Sequence, residues 1–482
     1  MNKINWNFNN TYLKLPKDML SEQKPESVKN PELIILNYNL SEDLDINLKG
    51  LDGKYLASVF SGNLLPDGSE AISMAYAGHQ FGNFTILGDG RAITIGEHFN
   101  QRKQGYEIQF KGSGKTKFSR NGDGKAALGP MLREYIISEA MHYLNIPTTR
   151  SLAVIKTGEK VKRETELDGA ILTRVATSHI RVGTFQYFAF KKDETGLKNL
   201  INYTINKHFP SLKNEKNIYL NLIGELIDKQ IDLIVNWMRV GFIHGVMNTD
   251  NMALSGETID YGPCAFMDIY DPKTVFSSID HFGRYAYYNQ PTIAKWNLAR
   301  FAECLIPLID KDEDTAIKIA TETINNFQNI YENKWLNMMR DKLGLFGEDK
   351  NDLKLINDLL NWMEFNQADF TNTFCHLMEI KVKNHKIYQN QDFVNWSNKW
   401  EKRLSIKNNT KEKSLNLMKL TNPTIIPRNH KVEEALSLAS GDNYEIFNKL
   451  LSILKKPYGS QKVFENYHLP SDNKNYKTFC GT

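Results

Sequence analysis

Apolar side chains follow two rhythms along the chain, and the change between them divides it. From residue 84 to 176 they alternate in short runs cut by glycine-rich turns, the signature of strands. Phe84 to Gly96 predicts two short strands turning about Gly88-Asp89-Gly90 as a hairpin, and Tyr106 to Lys111 predicts a half-buried strand that Gly112-Ser113-Gly114 ends. Ser151 to Ile155 and Gly169 to Ala176 add two more strands. One helix interrupts the series: Leu128 to Leu144 has helical apolar spacing, Pro130 near its start and Asn145-Ile146-Pro147 beyond its end, and it presents Glu134. From about Asn199 helical spacing takes over. Leu220 to Arg239 predicts a long amphipathic helix running into Gly241-Phe242-Ile243-His244, and Ile293 to Leu308 and Thr315 to Met338 continue a helical region through Trp400. Lys407 to Lys419 is charged and polar, which suits a linker or a solvated surface. The pattern predicts an α+β protein of two lobes: an N-terminal extension (1–70), a small mixed lobe (71–195), a large helical lobe (196–405) and a C-terminal extension (406–482).

Composition narrows what such a protein does. With 482 residues, 41% of them hydrophobic and 11% aromatic, the chain can bury a core in each lobe. The formal charge of +4 is spread along the sequence, so no basic block recruits nucleic acid. The start lacks a basic region leading into an apolar stretch, and no apolar run is long enough to span a bilayer. A soluble cytoplasmic protein with no nucleic-acid or membrane partner is expected. Cys264, Cys304, Cys375 and Cys480 show no C-x-x-C spacing, which argues against a zinc site and a disulfide scaffold and for isolated buried thiols.

The most informative stretch is His244-Gly-Val-Met-Asn-Thr-Asp250-Asn251, followed by Asp260-Tyr261-Gly262. A protein-kinase loop H-R-D-x-x-x-x-N sets an Asp beside the acceptor hydroxyl and an Asn on one magnesium, and a later D-F-G Asp also binds metal. Here His244 and Asn251 keep that spacing and Asp260 opens a D-Y-G, but Val246 stands in the base position. An aliphatic side chain accepts no proton; the nearest substitute carboxylate is Asp250. Lys111 has the place of the kinase strand lysine and Glu134 that of its helix partner, although two such charges can equally be separate surface groups. Gly88-Asp89-Gly90-Arg91 reads as a plain turn or as a phosphate loop with an arginine clamp. Asn121-Gly122-Asp123-Gly124 reads as a capped helix start or as a second nucleotide loop, and Arg174 and Arg181 as solvated cations or as triphosphate ligands. His244 reads as a brace for the loop, and neither His79 nor His281 has the neighbours of a catalytic or metal site.

Together Tyr76-Ala-Gly-His-Gln-Phe-Gly82, Leu87-Gly-Asp-Gly-Arg91, Asn121-Gly-Asp-Gly124, Ile146-Pro-Thr-Thr-Arg150, the His244 to Asn251 run, Asp260-Tyr-Gly-Pro-Cys264 and Phe479-Cys-Gly-Thr482 resemble the selenoprotein O family, kinase-like protein adenylyltransferases. The resemblance covers residue 70 to the C-terminus. It implies a protein-kinase-like bilobal fold and magnesium-dependent transfer of AMP from ATP to Ser, Thr or Tyr hydroxyls of protein substrates, with pyrophosphate leaving; manganese is the alternative ion. It implies an inverted nucleotide, with the α-phosphate near the metals. Carried over by motif, Lys111, Arg174 and Arg181 hold the terminal phosphates, and Gly88, Gly90, Arg91, Asp123 and Gly124 contact the nucleotide. Asn251 and Asp260 hold the metal, Asp250 is the base, and Cys480 stands where some members carry selenocysteine. A phosphotransferase of kinase type and a silent nucleotide-binding scaffold are the competing readings. Cys264, four residues after Asp260, and Cys480, near the chain end, form a possible redox pair.

Overall fold

The computed structural model describes residues 3–380, 385–406, 410–459, 466–471 and 476–479. Its N-terminal half is built on one antiparallel sheet in the order β1 (Leu20–Glu22), β3 (Ile72–Gln80), β5 (Ala92–Phe99), β6 (Gly105–Lys111), β9 (Glu166–Ala176), β8 (Arg150–Lys162) and β2 (Glu32–Leu36). Off this path β4 (Asn83–Gly88) pairs with β3 and β7 (Ala126–Ala127) with β9. The first 70 residues therefore supply both edge strands, as well as helices α1 (Tyr38–Asp43) and α2 (Gly53–Phe60).

Two expectations change here. Residues 84 to 96 do not form a hairpin: β4 folds back on β3, pairing Tyr76 with Leu87 and Gly78 with Thr85, whereas β5 pairs with β6. The reversal lies at Phe81-Gly82, both at positive φ, and Gly88-Asp89-Gly90 is a crossover. Asp89 explains this, because its backbone N–H donates to Met74 O at 2.9 Å and its carboxylate accepts from Met74 N at 3.0 Å, pinning the turn to β3. Nor is β6 half-buried; Ile108 to Lys111 are all buried. Ile108 and Phe110 pack with Leu56 and Phe60 of α2, and the other face of the sheet is covered by α3 (Leu128–Tyr143). The strand keeps its alternation, but its polar face is buried too, where Glu107 meets His179 and Lys207, Gln109 meets Arg174 and Lys111 meets Glu134.

Helices α4 (Val182–Lys191) and α5 (Glu194–His208) lead into the helical half. There α6 (Ile218–Val240) lies against α7 (Gln290–Ile309) and α8 (Glu313–Lys342). Gly241, at φ 72°, ends α6 in the left-handed conformation that glycine tolerates best. The chain then forms β10 (Phe242–Ile243), which pairs with β11 (Ala265–Phe266), so a two-stranded clasp closes both ends of the loop from His244 to Cys264. Beyond come α9 (Asp352–Phe365), α10 (Phe370–Leu377), α11 (Gln391–Leu404), α12 (Lys411–Thr421), α13 (Asn429–Ala439) and α14 (Glu445–Leu454). The stretch expected to be a linker or solvated surface includes α12 instead. Its charges face outward while Ser414 and Met418, one turn apart, are buried, and Ser414 Oγ donates to Gly344 O at 2.7 Å.

Helices α13 and α14 pack on α3, and the last described segment runs back toward the site. Buried Arg428 ties Asp268, Asp369 and the His468 carbonyl together. Thr478 N donates to Phe276 O at 2.8 Å and Thr478 Oγ1 to Pro263 O at 2.7 Å. Among the described residues no helix is long and apolar enough to cross a membrane.

Candidate active site

Between the sheet and the helical half lies a cleft of about 580 Å³, lined by Gly88, Gly90, Arg91, Lys111, Asp123, Gly124, Arg174, Arg181, Asp250, Asn251 and Asp260. Residues as far apart as 88 and 260 thus share one cavity, with Glu134 just behind it.

Lys111, the last residue of β6, lies 2.5 Å from Glu134 on α3 and also reaches Asp260. Arg174 of β9 approaches the same Glu134 at 3.3 Å and donates to Gln109 Oε1 at 2.6 Å. Arg181, at the start of α4, donates to the Asp250 carbonyl at 3.1 Å, lies over the Tyr76 ring at 4.3 Å and stands 3.8 Å from Asp89. All three cations are buried. Burial alone would push the Asp260 carboxyl up, but the cations of Lys111, Arg174 and Arg91 outweigh it and hold Asp260 well below the usual carboxylate range. At φ 68° Asp260 adopts a left-handed backbone, a strained conformation of the kind found at functional turns. A strand lysine bonded to a helix glutamate is a pairing that protein kinases also use.

Asp250 is the contrasting acid. Burial pushes its carboxyl up to about 6, opposed by Arg181 and reinforced by Asp260. Its Oδ1 is buried without a hydrogen-bond partner, although the residue lines the cleft. Asn251 Nδ2 donates to Val246 O at 2.9 Å, so the Val246 backbone orients the amide.

The glycines owe their presence to packing. A Cβ on Gly88 would lie 2.3 Å from the Phe118 ring and one on Gly90 2.9 Å from the Phe118 carbonyl. Thr116 Oγ1 donates to Asp89 O at 2.6 Å, and Ser119 Oγ to Gly90 O, so residues 116–119 are bonded to the turn. Gly124, at φ 69°, accepts from Gly114 N at 3.1 Å in a backbone crossing that leaves no room for a side chain. Asp123 pairs with Arg163 at 2.8 Å and stays ionised, chiefly through that bond.

His244 braces the loop as expected: it is buried, its Nε2 meets Ile259 O at 3.0 Å and its ring stacks on Trp237. His79 meets Gln186 at 2.7 Å, and neither His79 nor His281 lines the cleft. Cys264 is buried, and burial pushes its thiol up to about 12. Cys480 lies outside the described residues. Sequence reasoning missed Gly78, Asp89, Gln109 and Arg163 as supports of the site. For Gly78 the signal was present, a lone glycine in the otherwise strand-like Tyr76-Ala-Gly-His.

The sequence model of the family described as "Protein adenylyltransferase SelO" matches residues 2–455. Among curated proteins, the chain is 60% identical to "Protein nucleotidyltransferase YdiU" of Pelagibacter ubique, covering 99% of this chain and 100% of that one. It is 53% identical to the proteins of the same name from Nitrosococcus oceani, covering 99% and 98%, and from Halalkalibacterium halodurans, covering 100% and 98%. A solved Toxoplasma gondii rhoptry antigen kinase domain matches at TM-score 0.23 and 9% identity over 69% of this chain and 87% of that one, a likeness too slight to bear on the site.

Proposed function

We propose, since this chain belongs to the SelO family of protein adenylyltransferases, that its cleft binds ATP and transfers AMP to a Ser, Thr or Tyr hydroxyl of acceptor proteins. The observation that carries this reading is Asp250: a buried carboxylate with an unpartnered oxygen, tuned to about 6, in a cleft whose kinase base position holds Val246.

The chemistry divides among the residues. Lys111, Arg174 and Arg181 form a buried cationic floor suited to the β- and γ-phosphates, which leaves the α-phosphorus facing the loop of Asp250. Asp250 takes the proton of the acceptor hydroxyl as its oxygen bonds to the α-phosphorus and the bond to the β-phosphate oxygen breaks, releasing pyrophosphate. Glu134 keeps Lys111 and Arg174 in place when no phosphate is there. Arg91, Asp123 and the backbone at Gly88, Gly90 and Gly124 line the remainder of the nucleotide cavity.

Asp260 and Asn251 fit a hard divalent cation: one is a carboxylate held ionised, the other an amide whose Nδ2 is fixed on Val246 so that Oδ1 is left to ligate. Among the described residues no cluster of three His, Cys, Asp or Glu side chains forms a metal cage. Bound magnesium, or manganese on the same oxygen donors, would neutralise phosphate charge. The same reading has the protein acting in the cytoplasm, where ATP and acceptor proteins are at hand. Redox pairing of Cys264 with Cys480 belongs to the same reading; it is supported by Thr478 docking on Pro263, and the buried Cys264 thiol, pushed up to about 12, would have to be exposed before it reacts.

The deciding experiment supplies ATP labelled at the α- or the γ-phosphate together with magnesium and an acceptor pool, then weighs the modified protein. Retention of the α-label with an adenylyl mass increment is expected; retention of the γ-label alone would make the protein a kinase.

A further inference from the structure

Beside the loop of Asp250 lies a preorganised cation that the reaction does not use. Asn248, two residues before Asp250, accepts from Phe81 N at 3.1 Å and from the Tyr285 hydroxyl at 2.6 Å, which joins the tip of β3 and the segment at 285 to the catalytic loop. Asp280 fixes that segment by accepting from Arg284 N at 2.9 Å and Tyr285 N at 2.8 Å. The Arg284 guanidinium lies 4.9 Å from the centre of the Trp296 ring, and that of Arg300 lies 5.0 Å from the same ring. Two guanidiniums on one indole repel each other unless anions join them. Arg300 has its anion, Glu303 one helical turn away. Arg284 has no carboxylate partner among the described residues, and its Nε is buried without a hydrogen bond. Arg284 is half-buried and also lies 5.7 Å from the centre of the Tyr285 ring, so its guanidinium is held between two aromatic rings with one side open to a ligand that brings an anion.

We propose that Arg284, stacked on Trp296, binds an acidic side chain of the acceptor protein, so that the enzyme selects hydroxyls with Asp or Glu two to four residues away. This rests on the adenylyl-transfer reading and names the acceptor class for the same site. Tyr285 is bonded to Asn248, two residues before Asp250, so Arg284 is carried on a segment joined to the loop of the proposed base, and an extended acceptor segment advances about 3.3 Å per residue. Trp296 and Phe81 are half-buried and offer apolar surface along such a segment. The guanidinium, flat and held against the indole, presents a fork matched to a carboxylate.

Two synthetic peptides test this with the full chain, ATP and magnesium, each carrying a single serine hydroxyl and differing only in Glu or Gln three residues away. The expected result is a kcat/KM roughly tenfold higher for the Glu peptide, as a charge-assisted contact predicts. Arg284→Gln should bring the Glu peptide down to the value of the Gln peptide through KM, with ATP affinity retained, and Arg284→Lys should recover part of the preference. Equal use of the two peptides by the wild-type enzyme would overturn the proposal while leaving adenylyl transfer intact. A preference that survives Arg284→Gln would also overturn it. Absence of AMP on either peptide, with the γ-label incorporated instead, would overturn the reaction itself, a result distinct from both. If Arg284→Gln lowers the melting temperature, Trp296→Phe, which keeps a ring but reduces the stacking area, should still weaken discrimination.

Discussion

Gly78 makes room for Asp250: a Cβ at position 78 would lie 2.2 Å from Asp250 Oδ1 and 2.8 Å from its carboxyl carbon. A glycine in the middle of β3 weakens a strand, and here its lack of a side chain lets the proposed base sit beneath the sheet.

Gly78→Ala should therefore behave as a catalytic variant although its own side chain does no chemistry. The expected outcome is a loss of kcat in the range of Asp250→Ala, roughly 10²–10⁴-fold, with ATP affinity nearly unchanged. Steady-state kinetics alongside nucleotide titration checks it; a fall in affinity equal to the fall in kcat would remove Asp250 from the base role.

The pH dependence has a definite sign. Activity should rise with pH through about 6 as Asp250 loses its proton, then level off. Stability should move the other way. Its folded value, about 6, lies above its ordinary 3.8, so this residue's contribution to stability is fully present below 3.8 and is lost as pH rises through 6. Asp250→Asn should consequently melt higher than wild type at pH 8, by an amount on the order of 2–3 kcal/mol. The two proteins should converge near pH 4. Thermal melts across that range give the answer, and a wild type more stable than the variant at pH 8 would contradict it.

Asp260 and Glu134 should fail in different ways. Asp260→Ala should abolish turnover and the metal-dependent part of nucleotide binding. Glu134→Gln removes the acid shared by Lys111 and Arg174 and leaves two buried cations under-compensated, a change expected to cost about 3–5 kcal/mol of stability in the ligand-free protein. Because triphosphate supplies the missing negative charge, ATP should raise the melting temperature of Glu134→Gln by more than it raises that of wild type. Equal ligand-induced shifts would show that Glu134 is not standing in for phosphate.

Much of the site was legible in the sequence because its chemistry sits in contiguous motifs. The spacing from His244 to Asn251 and the D-Y-G at Asp260 survive as local structure, since β10 and β11 close the loop that carries both. The strand lysine and helix glutamate were likewise readable from Lys111 and Glu134, because clear breakers bound their elements, Gly112-Ser113-Gly114 after β6 and Asn145-Ile146-Pro147 after α3. What was hidden depends on distant packing. Nothing local reveals that Gly88 yields to Phe118, or that Asp89 is tied to Met74 and so turns an expected hairpin into a crossover. The burial of β6 on both faces depends on α2, more than forty residues earlier, and alternation within the strand does not report it. The helix α12 was obscured by its lysines, because two buried positions one turn apart are too few to outweigh a charged outer face.

The bond from Thr478 to Pro263 spans 215 residues of sequence. A ribosome adding roughly 5–20 residues per second needs about 10–40 s to make that stretch. During that interval the acidic turn has emerged with its lysine and arginines but without the tail that anchors its far side. Completion of the acidic segment is thus tied to the progress of translation, and it acquires this restraint only after residue 478 has been made.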